Sequence, residues 1–349
     1  MAPDAANNRA MKPARARDIG LACGRLPPGK LNRISDVPGV TVGHRTLVDG
    51  DIRTGVTAIR PHPGDLFRDR PLAASHVLNG FGKSIGLMQV DELGQLETPI
   101  LLTNTMSVGT CGTALIRRAV AENPRIGRQT STVNPVVCEC NDGFLNDIQA
   151  LALSEADALA ALDATQAAFD VGAVGAGAGM SCFGFKGGIG SASRQLTLDG
   201  AQFHLGTLVL ANFGRAGDLT LPDGRRLGPA APAAPERGSV IVVVATDVPL
   251  EHRQLQRVIR RAGAGLARVG SFHGHGSGDV FLGFSTANRT PHSAKSDLLA
   301  MRVLAEARID ALFEATAEAT QEAVLDALAA SPDTNGRAGH FRPGLTSLL

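Results

Sequence analysis

Composition changes abruptly in this sequence where a glycine meets a serine. Residues 228–238 read GPAAPAAPERG, Pro/Ala-rich material that cannot build a core, and the whole of Gly214–Gly238 reads as an exposed linker. The next eight residues, Ser239–Thr246 (SVIVVVAT), form the most continuous β-branched run in the chain, as expected of a strand buried on both faces. A hydroxyl at the start of such a strand suits an N-to-O acyl shift. The Ser239 hydroxyl adds to the Gly238 carbonyl, the carbon–nitrogen bond breaks to leave an ester, and water then hydrolyses that ester. Ser239 becomes a new N-terminus. Its α-amine, with a reference pKa of about 8, could accept the proton of its own hydroxyl. Glycine before the bond admits strained dihedrals without a Cβ penalty. Gly-Ser is equally a common loop-to-strand dipeptide, and the junction alone leaves both readings open.

Other residues capable of chemistry form weaker patterns. Five cysteines (Cys23, Cys111, Cys138, Cys140, Cys182) are odd in number and scattered, which favours a reducing compartment over a disulfide framework. Cys138 and Cys140 would share one face of a strand and read as small packing residues. His273 and His275 flank a glycine just before Ser277 and lack a third ligand at defined spacing, so they read as loop histidines at a pocket entrance. The glycine-rich stretch Gly175–Gly190 has no GK[ST] and no dinucleotide fingerprint. It reads as a close-packed turn and strand, with Lys186 shaping a pocket, and no cofactor is expected.

The elements that would hold these residues follow from periodicity. Strands are expected at Val40–Val42, Val56–Ile59, Ser75–Leu78, Ile85–Val90, Pro99–Leu102, Val133–Cys140, Gln202–Asn212, Ser239–Thr246 and Val280–Ser285. Helices are expected at Val108–Ala121, Phe144–Leu162, Glu251–Val269 and Lys295–Ala330, the last with a stripe of Leu298, Met301, Ala305, Ile309 and Leu312. Arg257, Arg260 and Arg261 fall on the outer or interface side of the third helix. This mixture favours a layered α/β sandwich over a doubly wound parallel sheet. Thirty-four basic residues against 33 acidic give a net charge of +1, without the basic stripe that nucleic acid requires. No run reaches the roughly 18 apolar residues of a membrane span. Met1–Arg17 has no apolar core of a secretory signal; residues 1–20 read as a disordered leader, and the protein as soluble and cytoplasmic.

Seven segments, in order, resemble the DmpA-type aminopeptidases (L-aminopeptidase/D-esterases and β-aminopeptidases). They are RISDVPGVTVGH (Arg33–His44), GVTAIRPHPGD (Gly55–Asp65), NPVVCECNDGFLND (Asn134–Asp147), GAGMSCFGFKGGIGSASR (Gly177–Arg194), GTLVLANFG (Gly206–Gly214), RGSVIVVVATDVPL (Arg237–Leu250) and SGDVFLGFSTAN (Ser277–Asn288). The resemblance implies a four-layer α/β/β/α sandwich, with residues 21–349 as a single catalytic domain cut into 21–238 and 239–349.

It also implies site roles. Ser239 falls at the nucleophile and Gly238 at the residue left behind. Asn212 matches the oxyanion donor, and Ser277 and Asp279 match the pair that holds the Ser239 amine. Some relatives have Glu at the acid position; Asp279 is one methylene shorter. Glu139 matches the acid that meets a substrate's free amine. Asn141 stands where some relatives place a substrate-contacting Tyr, and the chain contains no Tyr. Short peptides, amino-acid amides or esters are the implied substrates, hydrolysed through an acyl-Ser239 intermediate by a homotetramer of processed αβ units. The same chemistry would also serve acyl transfer or a pantetheine-like amide, and an uncut chain would serve only as a binding protein.

Overall fold

The computed structural model describes residues 14–229 and 237–349; of Arg237 only the backbone is described. Two sheets lie face to face. The first has the order β1 (Thr41–Asp49), β2 (Ile52–Arg60), β4 (Ile100–Asn104), β5 (Val136–Cys140). The second has the order β3 (Asp69–Gly80), β9 (Gly276–Pro291), β8 (Arg237–Thr246), β7 (Ala201–Asn212), β6 (Gly188–Leu198). β8 runs parallel to β9 and antiparallel to β7.

Side-chain alternation along the strands creates three cores. Cys138 and Cys140 of β5 pack on Leu208, Leu210, Ile241, Val243 and Leu282 between the sheets. Val56, Leu101 and Val137 face outward under α2 (Val108–Glu122) and α3 (Glu155–Asp163). Val240, Val242, Val244 and Phe281 face the other way, under α4 (His252–Ile259), α5 (Ala262–Arg268) and α6 (Asp310–Ala329). The layers are therefore α/β/β/α, as the resemblance implies. β8 lines two cores at once, which is why its sequence is apolar without interruption.

Several expected elements differ. Ile85–Val90, expected as a strand, pairs with β5 only at Ile85 and then enters the helix α1 (Leu87–Leu93), bounded by Gly86 and Gly94 at positive φ. A short apolar run does not distinguish strand from helix. The expected helix Phe144–Leu162 shrinks to α3, which begins at a capping box formed by Ser154 and Asp157. Glu251–Val269 breaks at Arg260–Arg261 into α4 and α5. Arg257 pairs with Glu306, and the Arg261 guanidinium lies over the Phe313 ring.

Most of Lys295–Ala305 is irregular, Leu298 is 87% exposed, and the final helix starts only at Asp310. Residues 1–13 of the expected leader and 230–236 of the expected linker lie outside the described residues. The remainder of both is corrected. Ala16–Ile19 is a 3-10 turn packed on α6, and residues 219–227 form a short hairpin with Leu219 and Leu221 buried.

α6 explains why the N-terminal segment is seated. Glu318, Glu322 and Asp326 recur every four residues and so share one face of this buried helix. Arg15 pairs with Asp326 at 2.6 Å, Arg17 with Glu322 at 2.6 Å, and the fully buried Arg194 with Glu318 at 2.9 Å and Glu322 at 3.0 Å. The backbone N–H groups of Arg25 and Leu26 donate to Glu318.

Candidate active site

Three adjacent strands bring the sequence-designated residues together. Asn212 ends β7, directly opposite Ser239 near the start of β8. On the other side Gly238 lies beside Ser277, Ser239 beside Gly278 and Val240 beside Asp279. Alternation sets the faces. Ser239 and Asn212 share the inter-sheet face with Ile241 and Leu210, whereas Ser277 and Asp279 share the helix-side face with Phe281. The Ser239 backbone nitrogen therefore lies between a hydroxyl face and an acid face. All four residues are buried.

Hydrogen bonds fix each side chain. The Asn212 Oδ1 accepts from the Ser181 amide at 2.9 Å, and its Nδ2 donates to the Asn141 carbonyl at 3.0 Å. One amide hydrogen is committed there, and the group carries a second. Ser277 Oγ donates to Asp279 Oδ1 at 2.6 Å, so the aspartate is long enough to hold this hydroxyl. On the inter-sheet face, beside Ser239, the Cys140 thiol donates to the Leu210 carbonyl at 3.7 Å. Burial, followed by the charge of Glu139, raises the Cys140 pKa well above the ordinary thiol value. The charge of Asp279 also acts on this thiol, so one sulfur lies within reach of Ser239 and both acids.

Glu139 is buried at the end of β5. Its Oε1 accepts from the Lys83 amide at 2.8 Å and its Oε2 from the Thr105 hydroxyl. The segment Phe81–Lys83 connects it to the β8–β9 pair. A Cβ on Gly278 would lie 2.6 Å from the Phe81 carbonyl oxygen, so this position must be glycine for the segment to seat. Asn141 contributes its carbonyl to Asn212, while its side chain accepts from the Gly143 amide at 2.9 Å in a local turn.

Lys186 does not line an opening. It is fully buried, and its Nζ donates to the carbonyls of Gly177 and Gly187, both at 2.8 Å. Desolvation brings its pKa down to about 7, with the Asp142 charge opposing. Asp142 is pushed up to about 6 by desolvation, against hydrogen bonds from Thr54 and Asn146. Sequence reasoning missed Asp142, Thr105 and Ser181. Thr105 and Ser181 meet Glu139 and Asn212 from more than 30 residues away and Asp142 meets Thr54 from 88, and only NDG after β5 marked the neighbourhood. Among the described residues no cluster of three or more His, Cys, Asp or Glu side chains could hold a metal ion.

The sequence of residues 32–342 matches the model of peptidase family S58. The chain belongs to peptidase family S58. As an S58 chain it is 37% identical to the β-peptidyl aminopeptidase BapA of Sphingosinicella microcystinivorans, an alignment covering 93% of this chain and 88% of that protein. The PH0078 protein of Pyrococcus horikoshii OT3 superposes with a TM-score of 0.91 at 44% identity, covering 95% of this chain and 96% of that one. The L-aminopeptidase D-Ala-esterase/amidase of Ochrobactrum anthropi, described as a serine aminopeptidase and a variant of the Ntn-hydrolase fold, superposes at 0.87 with 35% identity, covering 95% of each chain. The S58 fold and the αββα layers here are thus one architecture, and the chain is an amide-hydrolysing peptidase.

Proposed function

We propose that this S58 chain cuts itself between Gly238 and Ser239 and then acts as a serine aminopeptidase or amidase on short peptides, amino-acid amides and esters. The juxtaposition of Ser239 with Asn212 on one face and with Ser277–Asp279 on the other carries the reading. In turnover the freed Ser239 amine takes the proton of its hydroxyl, and Oγ adds to the substrate carbonyl. The Asn212 amide donates to the oxyanion that forms. Collapse breaks the C–N bond, the ammonium of Ser239 gives its proton to the departing amine, and an acyl-Ser239 ester remains. Water, deprotonated by the same amine, hydrolyses it. Ser277 and Asp279 hold the amine in place. Glu139 accepts the substrate's own ammonium group, a charge-assisted pairing that selects free N-termini. Residues 21–349 form one catalytic domain, active as a cytoplasmic homotetramer of αβ units.

Intact-mass spectrometry with N-terminal sequencing tests this. Two fragments divided at 238–239 are expected, the shorter beginning Ser-Val-Ile-Val, in a preparation that hydrolyses aminoacyl p-nitroanilides. An active preparation with one intact chain would overturn the mechanism. Product analysis with an added amine acceptor separates hydrolysis from acyl transfer.

Two substitutions probe the steps separately. Asn212→Ala is expected to lower kcat by about 10²- to 10³-fold, the scale of losing one oxyanion donor, as read from anilide hydrolysis. Gly238→Ala places a Cβ 2.1 Å from the Asn212 carbonyl oxygen. The strand must shift at the scissile bond, and self-cleavage is expected to slow by about tenfold or more on a gel time course, since small displacements of reacting atoms are costly.

A further inference from the structure

We infer that His273 is a positioning residue for Asp279, and through it for the Ser239 amine, an inference that rests on the self-cleaving reading above. His273 Nδ1 lies 2.8 Å from Asp279 Oδ2, while the Ser277 hydroxyl occupies Oδ1 at 2.6 Å. The carboxylate is thus gripped at both oxygens. Because it accepts, the imidazole proton lies on Nδ1. Because the Ser277 hydrogen is spent on Oδ1, the lone pairs of Ser277 Oγ stay available to accept from an amine. A carboxylate held at one oxygen could turn about its Cβ–Cγ bond and take the Ser277 hydroxyl with it. The second grip fixes the direction in which Ser277 accepts.

The loop carrying His273 is built to present it. His273 has φ +56°, in the left-handed region, where non-glycine residues are uncommon. Its backbone N–H donates to Ser271 Oγ at 3.2 Å. Asn79 of β3, in register with Asp279, uses one Nδ2 group to gather the carbonyls of Gly274 at 2.8 Å, His275 at 3.3 Å and Ser277 at 2.6 Å. A β-bulge between Asp279 and Val280 marks the same point of the β9–β3 ladder. The His273 side chain is 21% exposed against 1% for Asp279, so it lies on the outer side of the acid.

Three variants distinguish a positioning role from a merely structural one. His273→Gly keeps the left-handed backbone and removes the donor. His273→Gln moves the donor outward to where Nε2 lies. His273→Asn keeps a donor near the Nδ1 position and tolerates left-handed φ. His273→Gly and His273→Gln are expected to slow self-cleavage and to lower kcat on an aminoacyl p-nitroanilide by about 10- to 100-fold, with KM within about twofold. His273→Asn is expected to stay within about threefold of the parent kcat. Parent-like kcat in His273→Gly, an Asn variant as slow as the Gly one, or a change confined to KM would each overturn the inference. Ser239→Ala run alongside separates the two levels. An active Ser239→Ala enzyme sinks the self-cleaving reading, whereas an inactive one beside a parent-like His273→Gly sinks only the role of His273.

Discussion

Ser239→Ala is expected to persist as a single 36.1 kDa polypeptide and to lose amide hydrolysis by about 10⁴- to 10⁶-fold. The size of the effect follows from what one residue does. In most hydrolases nucleophile and base are separate side chains, and losing either leaves the other in place. In the proposed mechanism alanine removes the hydroxyl, and without that hydroxyl the 238–239 bond would not be cut, so the amine would never be released. Both functions go together. Alanine itself fits, because Ser239 is a small residue in a strand held by its ladder to β7 and β9. The variant should therefore fold, which circular dichroism and a thermal melt would check. Two bands on a denaturing gel, or anilide hydrolysis at the parent rate, would refute the assignment of Ser239.

Arg194→Met is expected to cost about 3–5 kcal/mol of stability, the range for breaking a buried ion pair from one side. Arg194 is fully buried, and its guanidinium reaches Glu318, Glu322 and the carbonyls of Cys23 and Ser193. Methionine fills much of the volume but leaves two buried carboxylates short of a cation. Arg17 still pairs with Glu322, whereas among the described residues the hydrogen bonds left to Glu318 come from the backbone amides of Arg25 and Leu26. Urea unfolding is the measurement, on a Ser239→Ala background so that every molecule is one covalent chain. An unchanged midpoint would show that the remaining partners suffice. A lowered midpoint with an unchanged slope confirms that the loss lies in the folded state.

Elements that bury both faces were the most legible in the sequence. Ser239–Thr246, Gln202–Asn212 and Val280–Ser285 all fall within observed strands, because a long β-branched or alternating run has few other destinations. Apolar content misled where it was not buried. Leu298 and Met301 suggested a helical stripe but lie on the surface, and Leu151, with φ +46°, sits in the loop before α3 where a continuous helix was expected. The capping box of Ser154 and Asp157 sets where that helix actually starts. At the site, Asn212, Glu139, Ser277 and Asp279 came from motif resemblance, and the β7–β8–β9 ladder explains why Asn212, Ser277 and Asp279 converge on Ser239. His273 escaped because its bond to Asp279 depends on a left-handed backbone that a histidine rarely adopts. The α6 acids escaped because their partners lie 124 to 311 positions away.

If the chain cuts itself between residues 238 and 239 as proposed, the order of the second sheet has a further consequence. β8 and β9, from the fragment after residue 238, are flanked by β3 on one side and β7 on the other, both from the fragment before it. Neither piece can leave without tearing hydrogen-bonded ladders along two seams, so separation and unfolding become one event. Within a single protomer, unfolding before the proposed cut would be unimolecular and its midpoint independent of dilution. Afterwards it releases two bodies, and apparent stability acquires a concentration dependence by mass action. The proposed maturation would thus exchange one covalent chain for a pair that must find each other again on refolding.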